Sequence, residues 1–242
     1  MPMVKLIVNN WQTYDMNKDL VIFGVGKIAE VIYYYAKEQC GFNVIAFSVD
    51  ESHKSIETFK GLPVVSFAEV ETHYPPIRNN MFIAIGYHDL NKSREVKCNE
   101  AMNKGYELIS IISPSAHLPL NVSNGWNCFI MPPAIIHPCV SIKNNVFIFS
   151  GAMVGHHSVI DDHCWLTSCC NISGNVHIGA NTFVAVNATI GHSVTIGKKC
   201  FLGANSLIVK NLEDEKVVIA ESSKPIKLNS SQFLRMSNFS SL

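Results

Sequence analysis

The chain has no excess of charge of either sign. Lys plus Arg and Asp plus Glu each number 19, the formal net charge is zero, and charged residues make up only 16% of 242. No Lys/Arg run or stripe occurs, which argues against a nucleic-acid partner held through phosphate contacts. No apolar run approaches the roughly 18 residues of a membrane helix, so no membrane association is expected. The opening Met1–Asp15 brings a charge and polar residues too early for a signal peptide, and the expected location is cytoplasmic. Cysteine is present, eight residues in all, but no CxxC pair is, so a zinc ribbon has no support. Composition therefore points to a chain that buries ordinary cores, since 48% of it is hydrophobic.

What is abundant is a period of six. From Ile130 to Ile208 every sixth residue is Ile, Val or Leu, fourteen in succession. Neither a helix, near 3.6, nor a half-buried strand, near 2, repeats that way. Four positions after each aliphatic residue stands a mostly small one, Ala134, Ala152, Cys164, Cys170, Ala188 and Cys200 among them. These cysteines read as small hydrophobes in a reducing compartment. A strict hexapeptide repeat is the signature of a parallel β-helix: the aliphatic side chain fills a narrow prism and the small one its corner. Each coil is stable only when stacked on the next.

The first half reads differently. An apolar run, Asp19–Phe23, ends in Gly24-Val25-Gly26-Lys27, a long apolar segment continues to about Gln39, and Gly41 stops it. A second strand over Val44–Val49 ends in Asp50. Strand, glycine turn, helix, strand and acid make a Rossmann-type opening. The turn lets backbone amides approach a phosphate at the helix N-terminus, and the acid suits a ribose or base edge. Further strands are expected at Val4–Val8, Gly61–Val65, Met81–Ile85 and Glu107–Ile112. Ser66 is expected to cap a helix starting near Phe67, and a polar helix should run from Asn91 to about Lys104. Ligands of such sheets sit beyond the carboxyl ends of the strands, which gathers Gly24, Gly26, Lys27, Asp50, Gly86, Tyr87 and His88 as nucleotide-binding candidates. The expected organisation is an α/β Rossmann-like domain over 1–113, an all-β left-handed parallel β-helix over 114–226, and a C-terminal tail over 227–242.

A β-helix is packed solid, so its chemistry must lie outside the prism. His156 and His157 follow Gly155 at a coil corner, and a neutral imidazole is the natural general base near neutral pH. Asp161 and Asp162 are near enough in sequence for an acid to hold the imidazole tautomer. His156 and His192 lie two coils apart on one face, which raises a zinc reading. A catalytic zinc wants three protein ligands, and Asn187 and Gly197 stand where a third would be needed, so no metal is expected.

A small Rossmann-like domain with GxG after its first strand, then hexapeptide repeats carrying a Gly-His motif, resembles the bacterial sugar acyltransferases. These include sialic-acid O-acetyltransferase-like proteins and bacillosamine-pathway-type N-acetyltransferases of nucleotide-linked amino sugars. The strand ending Ile83-Ala84-Ile85-Gly86, with Arg94 in the next helix, sharpens the likeness, which runs from about residue 20 to 226. The resemblance implies a homotrimer with acetyl-CoA as co-substrate in the groove between two β-helices, and the nucleotide-sugar on the first domain. His156 would be the base, with His157 beside it. The Gly174 amide would face the thioester carbonyl, and Val186 and Ala204 would line the pantetheine groove, all along one side of the prism. The acceptor implied is the amine of a nucleotide-linked aminodeoxysugar, of 4-amino-4,6-dideoxy type. A sugar hydroxyl is the alternative, and a non-catalytic trimeric nucleotide-binding scaffold the reading outside enzymes. This chain departs from the pattern at three places: His157 stands where many relatives have an acid, Phe149 where many have Asn, and Trp165 where many have a second His. Phe149 and Trp165 are therefore expected to shape the acceptor pocket.

Overall fold

The computed structural model describes residues 18–236; the strand expected at Val4–Val8 lies outside them. The N-terminal unit is built on β1 (Asp19–Phe23), α1 (Lys27–Tyr34), β2 (Val44–Val49), β3 (Thr58–Phe59), β4 (Leu62–Ser66), α2 (Val70–His73), β5 (Asn79–Ile83) and α3 (Lys92–Asn103). The sheet order is β3-β4-β2-β1-β5, with β4, β2, β1 and β5 parallel and β3 antiparallel to β4. Parallel strands covered on both faces read as near-continuous apolar runs, as in Leu20-Val21-Ile22-Phe23. Ala29 and Ile32 of α1 pack with Ile22 and Phe47 on one face, and Cys98 and Ala101 of α3 with Val21 and Ile83 on the other. Successive crossovers on opposite faces make a switch point between β1 and β5, where such sheets open a ligand crevice.

Two expectations fail here. Ser66 does not cap a helix: it ends β4, its hydroxyl has no partner, and α2 begins only at Val70. The amide of Phe67 bonds the Val49 carbonyl at 2.7 Å, and its ring is buried, so ladder and core outweigh the cap. The stretch Glu107–Ile112 is not one strand of the open sheet. Leu108 makes a single bridge to Met81, and Ile111–Ile112 already pairs with Phe129–Ile130 in the β-helix. The six-residue register in fact runs back through Leu118 to Ile112, interrupted at Asn124.

From Ile111 to Val218 the chain is a left-handed parallel β-helix, and beyond it lies one short helix, α4 (Ser230–Met236). Each strand pairs in parallel with the one 18 residues on, as Phe147 with Trp165, Met153 with Asn171 and Val159 with His177. Three hexads therefore make one coil of a three-sided prism. We call the side carrying Phe129, Phe147, Trp165 and Phe183 the aromatic face. The second face holds Met153–Val154 and its stack, and the third Val159–Ile160 and its stack. The inward aliphatic and small residues form one continuous core. Ser158 and Thr182 in small positions each donate to a carbonyl (Ser173, Gly197) and accept an amide (Val176, Cys200), so neither buried hydroxyl is left unpaired. Every sixth residue from Cys139 to Asn205 has positive φ, between 53° and 74°. That explains the recurring Asn145, Asn175, Asn181, Asn187 and Asn205, since Asn tolerates the left-handed region. After Ile208 the register shortens, for Leu202 pairs with Val218 instead of a residue 18 further on.

The aromatic face carries the N-terminal unit. Phe129, Phe147, Trp165 and Phe183 are buried against Leu20, Ile22, Phe82 and Ile109. Fully burying one such side chain contributes about 1.5–3 kcal/mol. Arg94 crosses this junction fully buried, its guanidinium 4.2 Å over the Phe147 ring and 5.1 Å over Trp165. It donates to Asn145 Oδ1, Asn91 Oδ1 and the carbonyls of Asn145 and His163. Burial holds its pKa down to about 10.

Candidate active site

The corner between the second and third faces carries His156, and, one and two coils on, Gly174 and His192. Its strands Met153–Val154 and Val159–Ile160 leave four residues to turn through the corner, and His156 is the first to project outward. The next coil must leave room for the ring. A Cβ on Gly174 would stand 2.7 Å from His156 Nε2 and Cε1. Among the outward positions at six-residue spacing from Pro132 to Ala204, Gly174 is the only glycine. The His192 ring comes within 6.2 Å of the His156 ring. No carbonyl among the described residues accepts the Gly174 amide. Gly155 has a separate cause: a Cβ there would meet the Gly174 amide nitrogen at 2.5 Å.

His157 holds the recurring left-handed position, φ 58°, and its Nδ1 lies 3.1 Å from His156 Nδ1. Such a pair forms when one Nδ1 carries hydrogen and the other its lone pair. A neutral His157 accepting there leaves His156 Nε2 unprotonated on the Gly174 side. The expected acid is not beside His156. Asp161 Oδ2 pairs with His177 Nε2 at 2.9 Å, and Asp162 Oδ1 accepts the Asn144 amide at 2.8 Å. Both belong to the next corner, where the third face meets the aromatic one. The zinc reading gains nothing either: among the described residues no three His, Cys, Asp or Glu are grouped to hold a metal.

Val186 and Ala204 require a correction. They do not share a side with His156 and Gly174. Only residues 18 apart stack, and Val186 is 12 beyond Gly174, so Val186 and Ala204 stack on the corner between the aromatic and second faces. Both are exposed. The two corners flank the second face, one on each edge.

The nucleotide candidates gather at the carboxyl edge of the open sheet. Gly24 has φ +119°, and a Cβ there would press the Ala84 carbonyl oxygen at 2.9 Å, so the first glycine is required twice over. Gly26 has ordinary backbone (φ −84°) and open space, and serves as N-cap of α1, whose first residue is the exposed Lys27. The Gly24 amide is not free for a ligand: it donates to the Ser48 carbonyl at 2.7 Å. Across the switch point comes Gly86-Tyr87-His88. The Tyr87 ring, 53% exposed, meets Trp165 at 5.4 Å and Phe183 at 4.7 Å, and stacks with His88. Asp89, Leu90 and Asn91 then run through three successive left-handed conformations. Asn181 of the β-helix holds that loop through the Leu90 carbonyl. Asp50, beside β1, is engaged by Lys97 Nζ at 2.6 Å.

Trp165 lies beneath Tyr87, their ring centroids 5.4 Å apart. It is 4% exposed within the aromatic ladder, with Phe149 stacked on it at 4.8 Å. Sequence reasoning did not assign roles to Lys97 or to the left-handed turn series. The series was signalled by Asn at six-residue spacing; nothing local signals Lys97, which meets Asp50 only through the fold. Two surface clefts, about 380 Å³ along β4 and about 340 Å³ between Leu90 and Lys199, do not include His156.

The bacterial transferase hexapeptide family (six repeats) is matched over residues 175–210. No curated protein matches. Among solved structures, a histidine-to-asparagine mutant of perosamine N-acetyltransferase from Caulobacter crescentus, in complex with CoA and GDP-perosamine, is 27% identical. It aligns over 84% of this chain and 93% of its own, with a TM-score of 0.77. The acetyltransferase domain of PglB from Neisseria gonorrhoeae, solved also with acetyl coenzyme A, is 22% identical over 87% of this chain and 100% of its own, TM-score 0.76. WeeI from Acinetobacter baumannii is 19% identical over 84% and 97%, TM-score 0.72. The chain thus carries transferase hexapeptide repeats in a fold shared with bacterial sugar N-acetyltransferases. No helix among the described residues is long and apolar enough to cross a membrane.

Proposed function

We propose that the chain is an acetyl-CoA-dependent N-acetyltransferase acting on the amine of a nucleotide-linked aminodeoxysugar of the 4-amino-4,6-dideoxy type. The observation that carries the reading is the His156 imidazole packed against Gly174, where a Cβ would stand 2.7 Å from the ring, together with the lack of a backbone partner for the Gly174 amide among the described residues. Base and oxyanion donor thus share one small space, with no nucleophilic side chain required. The sugar amine attacks the thioester carbonyl carbon while His156 Nε2 takes the amine proton. The carbonyl oxygen gains charge and is met by the Gly174 N–H. Collapse breaks the C–S bond, and His156 returns the proton to the departing thiolate, giving N-acetyl sugar and free coenzyme A. His157 holds the His156 tautomer. Gly174, Val186 and Ala204 line the coenzyme along the second face, from its two edges.

The nucleotide binds the other unit: phosphates at Gly24, Gly26 and Lys27, base or ribose at Asp50, and the sugar toward Gly86, Tyr87 and His88. That edge rests on the aromatic face, and His156 occupies the corner opposite that face. One chain does not bring the two together, so the working unit is a homotrimer in which His156 of one copy meets the acceptor held by another. The perosamine N-acetyltransferase, solved in complex with CoA and GDP-perosamine, supports a reading with both a coenzyme and a nucleotide-linked amino sugar.

The test is release of free thiol from acetyl-CoA with a panel of UDP-, GDP- and dTDP-linked aminodeoxysugars and their hydroxyl counterparts. Turnover on an amine is expected. Turnover only on hydroxyls would make the protein an O-acetyltransferase, and none on either would sink the proposal. In the active case, His156→Ala should lower kcat by about 10²–10⁴-fold.

A further inference from the structure

Lys97 has no part in the chemistry above, yet it is 8% exposed at the carboxyl edge of the sheet, where the nucleotide is proposed to lie. It comes from the second turn of α3 and passes over the end of β1. Its ammonium stands 5.0 Å from the Phe23 ring and 4.5 Å from the Phe67 ring. There it donates to Asp50 Oδ1 at 2.6 Å and to Glu100 Oε2 at 2.5 Å. A lysine so deeply set is unusual unless paired. The Asp50 side chain remains 42% exposed, and among the described residues nothing is hydrogen-bonded to its Oδ2.

We infer that Lys97 is a positioning residue for acceptor binding: it fixes the Asp50 carboxylate through one oxygen and leaves the other free for a hydroxyl or N–H of the nucleoside. The inference rests on the proposed nucleotide role of this edge. Asp50 follows the last residue of β2 and precedes a 3₁₀ turn, Glu51–His53, to which its side chain makes no capping hydrogen bond. A carboxylate on a strand end samples several rotamers, and ordering it on binding costs affinity. Lys97 pre-orders it. The two phenyl rings hold the ammonium in place by cation–π attraction, and Glu100 offsets its charge. The device draws on four parts of the unit: α3 supplies the cation, β1 and the β4–α2 connection the rings, and the end of β2 the carboxylate. A role confined to stability would affect all ligands alike, whereas a positioning role acts on the nucleotide alone.

The experiment compares wild type, Lys97→Met, Lys97→Arg and Asp50→Asn. It measures KM for the nucleotide-linked amino sugar, KM for acetyl-CoA, and binding of UDP, GDP and dTDP by calorimetry. Lys97→Met should raise the acceptor KM and weaken nucleotide binding by about tenfold or more, with acetyl-CoA KM unmoved. Lys97→Arg should recover most of the loss. Asp50→Asn should match Lys97→Met, and it decides the matter if the methionine variant melts below the assay temperature. Nucleotide binding equal in all four proteins, or both KM values rising together, overturns the inference while leaving the function intact. A wild type that binds none of the nucleotides removes the function reading of this edge and the inference with it.

Discussion

Two glycines on one corner, Gly155 and Gly174, separate fold from chemistry. A methyl group at Gly155 would strike the backbone of the next coil, where nothing can yield cheaply. Gly155→Ala should therefore cost several kcal/mol, of the order seen for overpacked cores, and lower the urea midpoint. A methyl at Gly174 meets the far end of the His156 side chain, which can swing away. Gly174→Ala should then leave the urea midpoint nearly unchanged while kcat falls by about 10²-fold, since base and oxyanion donor no longer share one space. Equal activity in Gly174→Ala would show that the imidazole does not work in the position seen. Both glycines stand out in the sequence, but for different visible reasons. Gly155 follows an aliphatic residue as four other glycines do, whereas Gly174 alone breaks the row of first outward positions. The partner of the imidazole was not legible: an acid looked close in sequence at Asp161 and Asp162, but the corner between them and His156 turns both away.

At the scale of elements, the inward cysteines of the β-helix make its stability depend on alkali. Burial pushes the thiols of Cys128 up to about 11, and of Cys164 and Cys170 up to about 12, from an ordinary value of 9.0. A pKa raised by folding means that the folded chain holds protons that the unfolded chain releases. The stabilisation is whole below pH 9 and is lost as pH climbs toward 11–12. Arg94, held down to about 10, works in the opposite direction above that pH, but it is one group against several, since burial also raises the thiols of Cys40, Cys98 and Cys200. Under reducing conditions, the denaturant midpoint should fall steadily between pH 9 and 11. A Cys164→Ala, Cys170→Ala double variant should start lower and fall less, because the cavities cost stability at every pH while the titration disappears. These positions could be read from the sequence because a strict period fixes inward and outward alike. The same period hid one boundary. Asn124 interrupts it, so Ile111–Ile112 read as the last strand of the open sheet when it begins the first coil. In the N-terminal unit β1 and β2 were legible to the residue as buried apolar runs. The short α2 was not, because Phe67 prefers the core to the start of a helix.

At the scale of the whole molecule, the aromatic ladder decides where the two halves of the chemistry can meet. It fixes the open sheet on one face of the prism, and Arg94 locks the junction with four hydrogen bonds and two ring contacts. A junction buried this thoroughly does not hinge to carry an acceptor around the prism to the opposite corner. If each site combines His156 of one copy with the Asp50 edge of another, lesions in the two halves complement. Co-expressing His156→Ala chains with Asp50→Ala chains, under different tags and purified through both, gives mixed trimers. In a trimer that holds both kinds of chain, whichever is in the majority, about one of the three sites draws an intact His156 and an intact Asp50 edge from neighbouring chains. Mixed trimers should therefore show about a third of wild-type turnover at low acceptor concentration, although each parent trimer is nearly inactive there. If the site were contained within one chain, every site would carry one lesion, and the mixture would be no better than its parents. Light scattering of the purified mixture checks that three chains are present. A monomer with full activity would refute the shared site without touching the assignment of His156 as base.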